Sequence, residues 1–211
     1  MATEQKLSAP KTFRYWISGD IKKADKLLVV LHGYGQLAEF FIRKFNGVPE
    51  DYFIVAPEGM HRFYLNGTSG RVGASWMTKE DRESDIADNL NWLTQLFAEL
   101  TEQKSFDKTI LLGFSQGGAT AARWYYSQKV QIDQLILWAS VFPPDLKKPE
   151  IKSNSNNYFV IGTDDEYYDV EAQISEIKFY QKIGFTSLQF EGKHDVEMSI
   201  FKRILVKKKL K

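Results

Sequence analysis

Hydrophobic residues in this chain fall in short unbroken runs rather than in alternation. Lys26–Leu31 reads KLLVVL, Tyr52–Ala56 YFIVA, Thr109–Phe114 TILLGF, Gln134–Ala139 QLILWA and Tyr158–Ile161 YFVI. A strand covered on both faces of a parallel sheet reads this way, because each side meets a layer of helices. Phe13–Ile17 reads as a first strand and Ser187–Phe190 as a last one. Between the runs, apolar residues recur at helical spacing. They are Leu37, Phe40, Phe41 and Phe45; then Ile86, Leu90, Leu93, Phe97 and Leu100; then Val170, Ile174 and Ile177; and finally Val196, Ile200 and Ile204. Thr78–Asp81 has the form of a capping box opening the second of these helices. Met60–Met77 follows neither period and is expected to be a long irregular loop, a kind that often carries function. Pro143, Pro144, Pro149 and the polar SNSNN run at 153–157 predict a surface loop rather than a domain boundary.

Strands alternating with helices predict an α/β fold: a doubly wound, mostly parallel sheet with helices on both faces. No internal repeat or linker divides the chain. We therefore expect one domain over residues 1–211, with a polar N-terminal tail to about residue 11 and a basic tail at 207–211.

Composition narrows the picture mainly by exclusion. With 28 basic and 27 acidic residues the net charge is +1, which gives no basis for a nucleic-acid partner. There are no cysteines, so disulfides, thiolate metal sites and a cysteine nucleophile are excluded together. No apolar run approaches the roughly 20 residues of a membrane span, and the first residues lack the apolar core of a signal peptide. A cytoplasmic protein without stable membrane insertion is the expectation, as monomer or homodimer.

The chemistry is concentrated in KTILLGFSQGGATAA, Lys108–Ala122. An apolar strand runs into Gly113-Phe114-Ser115-Gln116-Gly117, and small residues continue into a helix. A strand turning sharply into a helix crowds its backbone, which glycine tolerates, and leaves the serine exposed at the apex. Such a serine needs a base, and the base needs a carboxylate to fix its tautomer. His194 follows the Ser187–Phe190 strand, and Asp164, Asp165 and Glu166 follow the Tyr158–Ile161 strand, in the order Ser…Asp…His. Any of the three adjacent acids has the reach. Asp169 and Asp195 read instead as caps or surface charges. An oxyanion needs N–H groups already aimed at it. Gln116, directly after the serine, and Tyr34, in the His32-Gly33-Tyr34-Gly35 turn after the Lys26–Leu31 strand, supply candidates. Phe63, Trp76, Met77 and Tyr167 are the candidate walls of a substrate pocket, and Arg62 and Arg71 are candidate contacts for an anionic group. His32, His61 and His194 show no close metal-ligand spacing, so neither metal nor cofactor is expected.

In combination, LHGYG, PEG, GFSQGG, a G-x-x-D after a late strand and a histidine before the last helix resemble the carboxylesterase/phospholipase family of α/β-hydrolases. That family includes acyl-protein thioesterases. The resemblance runs from about Lys26 to the closing helix, and the RFY…GRVGASWM segment is similar to a bacterial esterase subgroup. It implies an α/β-hydrolase fold without a separate cap domain. It also implies Ser115 as nucleophile, His194 as base, Asp165 as acid, three residues after Gly162, and Tyr34 and Gln116 as oxyanion-hole residues. Two departures stand out. Asp165 is followed by Glu166-Tyr167-Tyr168 where the family has Pro-x-Val-Pro, and His194 is preceded by Gly192-Lys193 rather than Gly-Gly. The expected activity is hydrolysis of carboxylic esters of small or medium acyl chain. Thioesters, lysophospholipids and peptide-like amides are alternatives on the same site, and a non-catalytic binding protein on the same fold is the rival of another class.

Overall fold

The computed structural model describes residues 1–146 and 156–206. Pro149, most of the SNSNN run and the basic tail lie outside the described residues. Among the described residues the main sheet has seven strands: β1 (Tyr15–Ser18), β2 (Lys26–Leu31), β3 (Tyr52–Pro57), β6 (Lys108–Phe114), β7 (Gln134–Trp138), β8 (Tyr158–Gly162) and β9 (Thr186–Phe190). Their spatial order is β1-β3-β2-β6-β7-β8-β9. Only the β1 edge is antiparallel, and every other pairing is parallel. The unbroken apolar runs occupy the middle of the sheet, where β3, β7 and β8 are buried at every position. The edges β1 and β9 are half-exposed.

Alternate residues of each run feed two cores. Leu27, Val29, Leu31, Val55, Leu111, Leu137 and Ile161 face α2 (Arg82–Gln103), α3 (Gln116–Tyr126) and α4 (Val170–Lys182). Leu28, Val30, Ile54, Leu112, Ile136 and Val160 face α1 (Ala38–Phe41), the 3-10 turn Ile42–Phe45 and α5 (Met198–Val206). A side-chain period of two, with hydrophobic residues at both phases, thus produces helices on both faces. Among the described residues no helix is long and apolar enough to cross a membrane.

Three local expectations are corrected. Met60–Met77 is not irregular throughout: β4 (His61–Tyr64) and β5 (Val72–Ser75) form a hairpin, with His61 opposite Ser75 and Tyr64 opposite Val72. Each strand is four residues long, too short for a period to stand out. Gly73 hides a second constraint, because a Cβ there would lie 2.4 Å from the Gly35 carbonyl oxygen. The hairpin needs that glycine to let the loop after β2 lie against it.

The capping box is not formed. Thr78 Oγ1 accepts from the Glu80 N–H, while α2 begins at Arg82 behind Asp81, whose φ is 47° and whose side chain makes no cap bond. Asp81 is engaged instead by Lys6 and by the Ser84 hydroxyl. The buried face of α4 is also rotated from the apolar series. Val170 is 70% and Ile174 46% exposed, whereas Gln173 and Tyr180 are buried.

Candidate active site

The chain leaves β2 towards β3 on one side and later places β6 on the other side of β2. In an open parallel sheet, such a switch in direction leaves a crevice beyond the carboxyl ends of the two strands. The loop after β2 and the turn after β6 therefore meet there. Ser115 occupies that turn with φ 52° and ψ −121°. A non-glycine residue held in such a region costs about 1–3 kcal/mol and persists only where its surroundings over-determine it. The Ser115 N–H donates to the Trp138 carbonyl at 2.8 Å, and the Gly118 N–H donates to the Ser115 carbonyl at 2.9 Å. The first turn of α3 is pressed against the end of β2, where a Cβ on Gly117 would sit 2.4 Å from the His32 carbonyl oxygen.

Asp165 and His194 come together beside this turn. Asp165 Oδ2 lies 2.7 Å from His194 Nδ1, and its other oxygen accepts from the Tyr167 N–H at 3.0 Å. The Asp165 side chain is fully buried and that of His194 is 11% exposed. The neighbouring acids are placed differently. Asp164 is exposed and its carboxylate is touched by the Thr163 hydroxyl. Glu166 accepts from the backbone N–H of His194 at 3.3 Å; contact with its own backbone N–H, and then this bond, hold its carboxyl below the usual range. Gly162 makes the approach of the two loops possible, since a Cβ there would lie 2.3 Å from the Gly192 carbonyl oxygen. The His194 ring makes tilted contacts with Phe114, with centroids 4.9 Å apart, and with Tyr167 at 4.5 Å. The Trp138 indole N–H donates to the Asp195 carbonyl at 2.9 Å and ties this loop back to β7.

The loop His32–Gly35 also reaches Ser115. A Cβ on Gly33 would sit 3.2 Å from the Ser115 Cβ, so this loop touches the serine directly. Among the described residues neither the Tyr34 nor the Gln116 backbone N–H donates to a protein acceptor. His32 itself does not face the crevice. It is fully buried, its Nε2 accepts from the Gly59 N–H at 2.9 Å, and its Nδ1 lies 2.8 Å from the Gly33 carbonyl. An acceptor Nε2 requires the proton on Nδ1, so the ring is neutral. Burial lowers its pKa to about 4. His61 stands apart against Asp85, at 2.9 Å.

Three glutamines, none of which stood out in the sequence for its side chain, brace these loops. The Gln36 carbonyl oxygen accepts from the Gly33 N–H at 2.9 Å. The Gln116 side chain accepts from the Trp76 N–H at 3.0 Å and donates to the Met77 carbonyl at 2.8 Å. Gln173 donates to the carbonyls of Thr163 and Tyr168, on either side of Asp165. Buried Glu58 plays a similar part below the loop, held by Arg14 and Arg62. A polar residue interrupting an apolar helix face was the available sign for Gln173.

The expected pocket residues divide. Tyr167 is 74% exposed over the His194 ring, and half-buried Phe63 lies 5.1 Å, centroid to centroid, from the Tyr34 ring. Trp76 is corrected: it is fully buried, stacks on Trp92 and donates its indole N–H to the His32 carbonyl at 2.8 Å, so it packs the hairpin onto the body. Met77 turns towards Arg123, with Ile86, Leu90 and Thr120 around it. A cleft of about 840 Å³ does open beside the crevice, but Gly35, Gln36, Leu37, Phe40, Phe41, Arg43, Lys44, Arg71 and Val72 line it.

A doubly wound sheet with a serine turn at its switch point is the architecture of an α/β-hydrolase. Solved structures agree in fold. A carboxylesterase from Mesorhizobium loti superposes with a TM-score of 0.74 at 16% identity, over 92% of this chain and 94% of that one. Acyl-protein thioesterase 2 of Zea mays superposes with a TM-score of 0.67 at 15% identity, over 90% and 95%. The chain belongs to the phospholipase/carboxylesterase family, whose model matches residues 15–207. Among curated proteins, 1-acylglycerol-3-phosphate O-acyltransferase of Arabidopsis thaliana is 27% identical over 124 residues, 59% of this chain. A probable enzyme of the same name from Oryza sativa subsp. japonica is 26% identical over 121 residues, 57% of this chain. The chain spans 27% of the length of each of these curated relatives.

Proposed function

We propose that the protein hydrolyses carboxylic esters of small or medium acyl chain through an acyl-enzyme on Ser115, with His194 as base and Asp165 as its partner. The observation that carries this reading is the 2.7 Å contact between His194 Nδ1 and the fully buried Asp165 carboxylate, beside the serine turn. Asp165 holds the proton on Nδ1, which leaves Nε2 free to accept one. His194 Nε2 takes the Ser115 hydroxyl proton as Oγ attacks the acyl carbonyl. The N–H groups of Tyr34 and Gln116 receive the oxyanion, which they meet without having to break a prior protein hydrogen bond. The imidazolium returns its proton to the leaving alcohol. Water then loses a proton to His194 and attacks the acyl-enzyme. Collapse of the second tetrahedral intermediate releases the acid and restores the serine hydroxyl. These steps use no metal or cofactor. The strained backbone of Ser115 supports the same reading, because such geometry keeps Oγ at the apex of the turn.

The test is hydrolysis of p-nitrophenyl acetate and butyrate by the wild type and by Ser115→Ala, with circular dichroism to establish that the variant is folded. We expect kcat to fall by about 10³-fold or more. A folded Ser115→Ala protein with the wild-type rate overturns the assignment.

A further inference from the structure

The cleft beside the crevice mixes apolar and cationic lining. Phe40, Phe41 and Val72 share it with Arg43, Lys44 and Arg71. Two of the cations are matched. Arg43 pairs with Glu39 at 2.8 Å, and Lys44 pairs with Asp195 at 2.7 Å. Arg71 is exposed, and among the described residues its side chain has neither ion pair nor hydrogen bond. Its backbone is nevertheless fixed: the Leu65 N–H donates to its carbonyl at 2.8 Å, and Val72 beside it is in register with Tyr64. The cleft thus carries one unmatched positive charge on an anchored stem above apolar surface.

The cleft lies close to the serine turn. Gly35 lines it, and two residues back Gly33 touches Ser115. Two Cα steps span at most about 8 Å. Phe41 in the lining stacks on Phe114, which in turn contacts His194.

We propose that this cleft receives the part of the ester that bears an anionic group, a carboxylate or phosphate, and that Arg71 is the residue that selects for it. The inference rests on the esterase reading above. A guanidinium presents a planar fork of donors matched to either anion. A spacer of a few carbon atoms between the scissile carbonyl and the anion would bridge the short step from Gly33 to Gly35 and cover the apolar lining.

The test measures kcat/KM ratios of matched charged and neutral esters for wild type, Arg71→Gln and Arg71→Lys. With the anion on the acyl side, the pair is p-nitrophenyl hemiglutarate and p-nitrophenyl pentanoate. With the anion on the alcohol side, 4-butyryloxybenzoate and 4-butyryloxyphenyl phosphate are each compared with phenyl butyrate. Comparing variants cancels the intrinsic reactivity of each ester. In at least one arm the charged-to-neutral ratio is expected to fall by about tenfold in Arg71→Gln, chiefly through KM, and to be restored only in part in Arg71→Lys, which keeps the charge but not the planar fork. The arm that responds identifies the half of the ester and the anion. A ratio that Arg71→Gln leaves unchanged in every arm overturns the proposal while leaving the esterase reading intact. Failure of the wild type to hydrolyse any of the esters overturns both.

Discussion

Replacing Asp165 by asparagine separates the three adjacent acids most sharply. One Asp165 oxygen accepts from the Tyr167 N–H at 3.0 Å and the other faces His194 Nδ1 at 2.7 Å. An asparagine carboxamide has one acceptor and one donor end, so it satisfies only one of these neighbours as the carboxylate did. If its oxygen stays on the Tyr167 N–H, its amide group donates to Nδ1. The histidine proton then moves to Nε2, which is no longer able to take one. If the carboxamide flips, two donors oppose each other in a buried place, at about 1–3 kcal/mol. The unproductive orientation is therefore favoured by roughly fivefold to 150-fold. Losing the negative charge beside the developing imidazolium adds to this. The same exchange in a serine-protease triad lowers kcat by about 10⁴-fold, or about 5.5 kcal/mol of barrier. We expect a fall of about 10³- to 10⁴-fold in kcat on p-nitrophenyl butyrate near neutral pH, with KM little changed. Glu166→Gln retains an acceptor for the His194 N–H, and Asp164→Asn alters an exposed side chain. Each should stay within about fivefold of wild type. An Asp165→Asn enzyme within tenfold of wild type, or a collapse in either neighbour instead, refutes the assignment of the acid.

Other consequences follow from packing and protonation. Burial lowers the His32 pKa to about 4 from the ordinary 6.5, so the unfolded chain binds this proton first. The resulting stability is full above pH 6.5 and is lost as pH falls towards 4, up to about 3 kcal/mol from 2.5 pH units. An NMR titration in which His32 protonates near 6.5 in the folded protein contradicts this. Gly117→Ala places a methyl group against two backbone carbonyls, at 2.4 and 2.5 Å. It should lower stability by about 1–3 kcal/mol, or several degrees in Tm; an unchanged Tm in differential scanning calorimetry argues against the close packing of α3 on β2. Trp76→Phe removes the indole bond to the His32 carbonyl and leaves a small void. A loss of about 2 kcal/mol in urea denaturation is expected, with the acyl-length profile retained. A shifted acyl-length profile at full stability would mean that Trp76 does contact substrate.

Much of the architecture was written locally in the chain. The apolar runs at 26–31, 52–56, 109–114, 134–139 and 158–161 are apolar at both phases and too short for helices, which is the pattern of strands buried on both faces. The turn at Ser115 was legible for the same local reason, since its glycines are adjacent in sequence to the residue they serve. What stayed hidden depends on tertiary contact. Gly73 is explained by the Gly35 backbone across the hairpin, and the capping ability of Thr78 was overridden when Lys6 and Ser84 engaged Asp81. Composition suggested a pocket lined by Trp76, but aromatic type does not distinguish a wall from a core, and its indole N–H found a buried carbonyl. The choice among Asp164, Asp165 and Glu166 depended on sub-residue geometry that spacing alone does not carry. Only the folded loops separate a buried carboxylate facing Nδ1 from an exposed one and from one bound to a backbone N–H. The cleft bearing Arg71 was equally invisible, since it joins α1, which ends at Phe41, to Arg71 and Val72 much further along the chain.

The central claim is that Ser115 is a nucleophile activated by His194. Intact-mass spectrometry after treatment with a fluorophosphonate tests it most directly, because the probe reports a reactive serine whatever the natural ester is. A single adduct mapped by peptide sequencing to Ser115, absent in Ser115→Ala and formed far more slowly in His194→Ala, is the result the account predicts. An unlabelled wild-type protein, or an adduct on another residue, contradicts it.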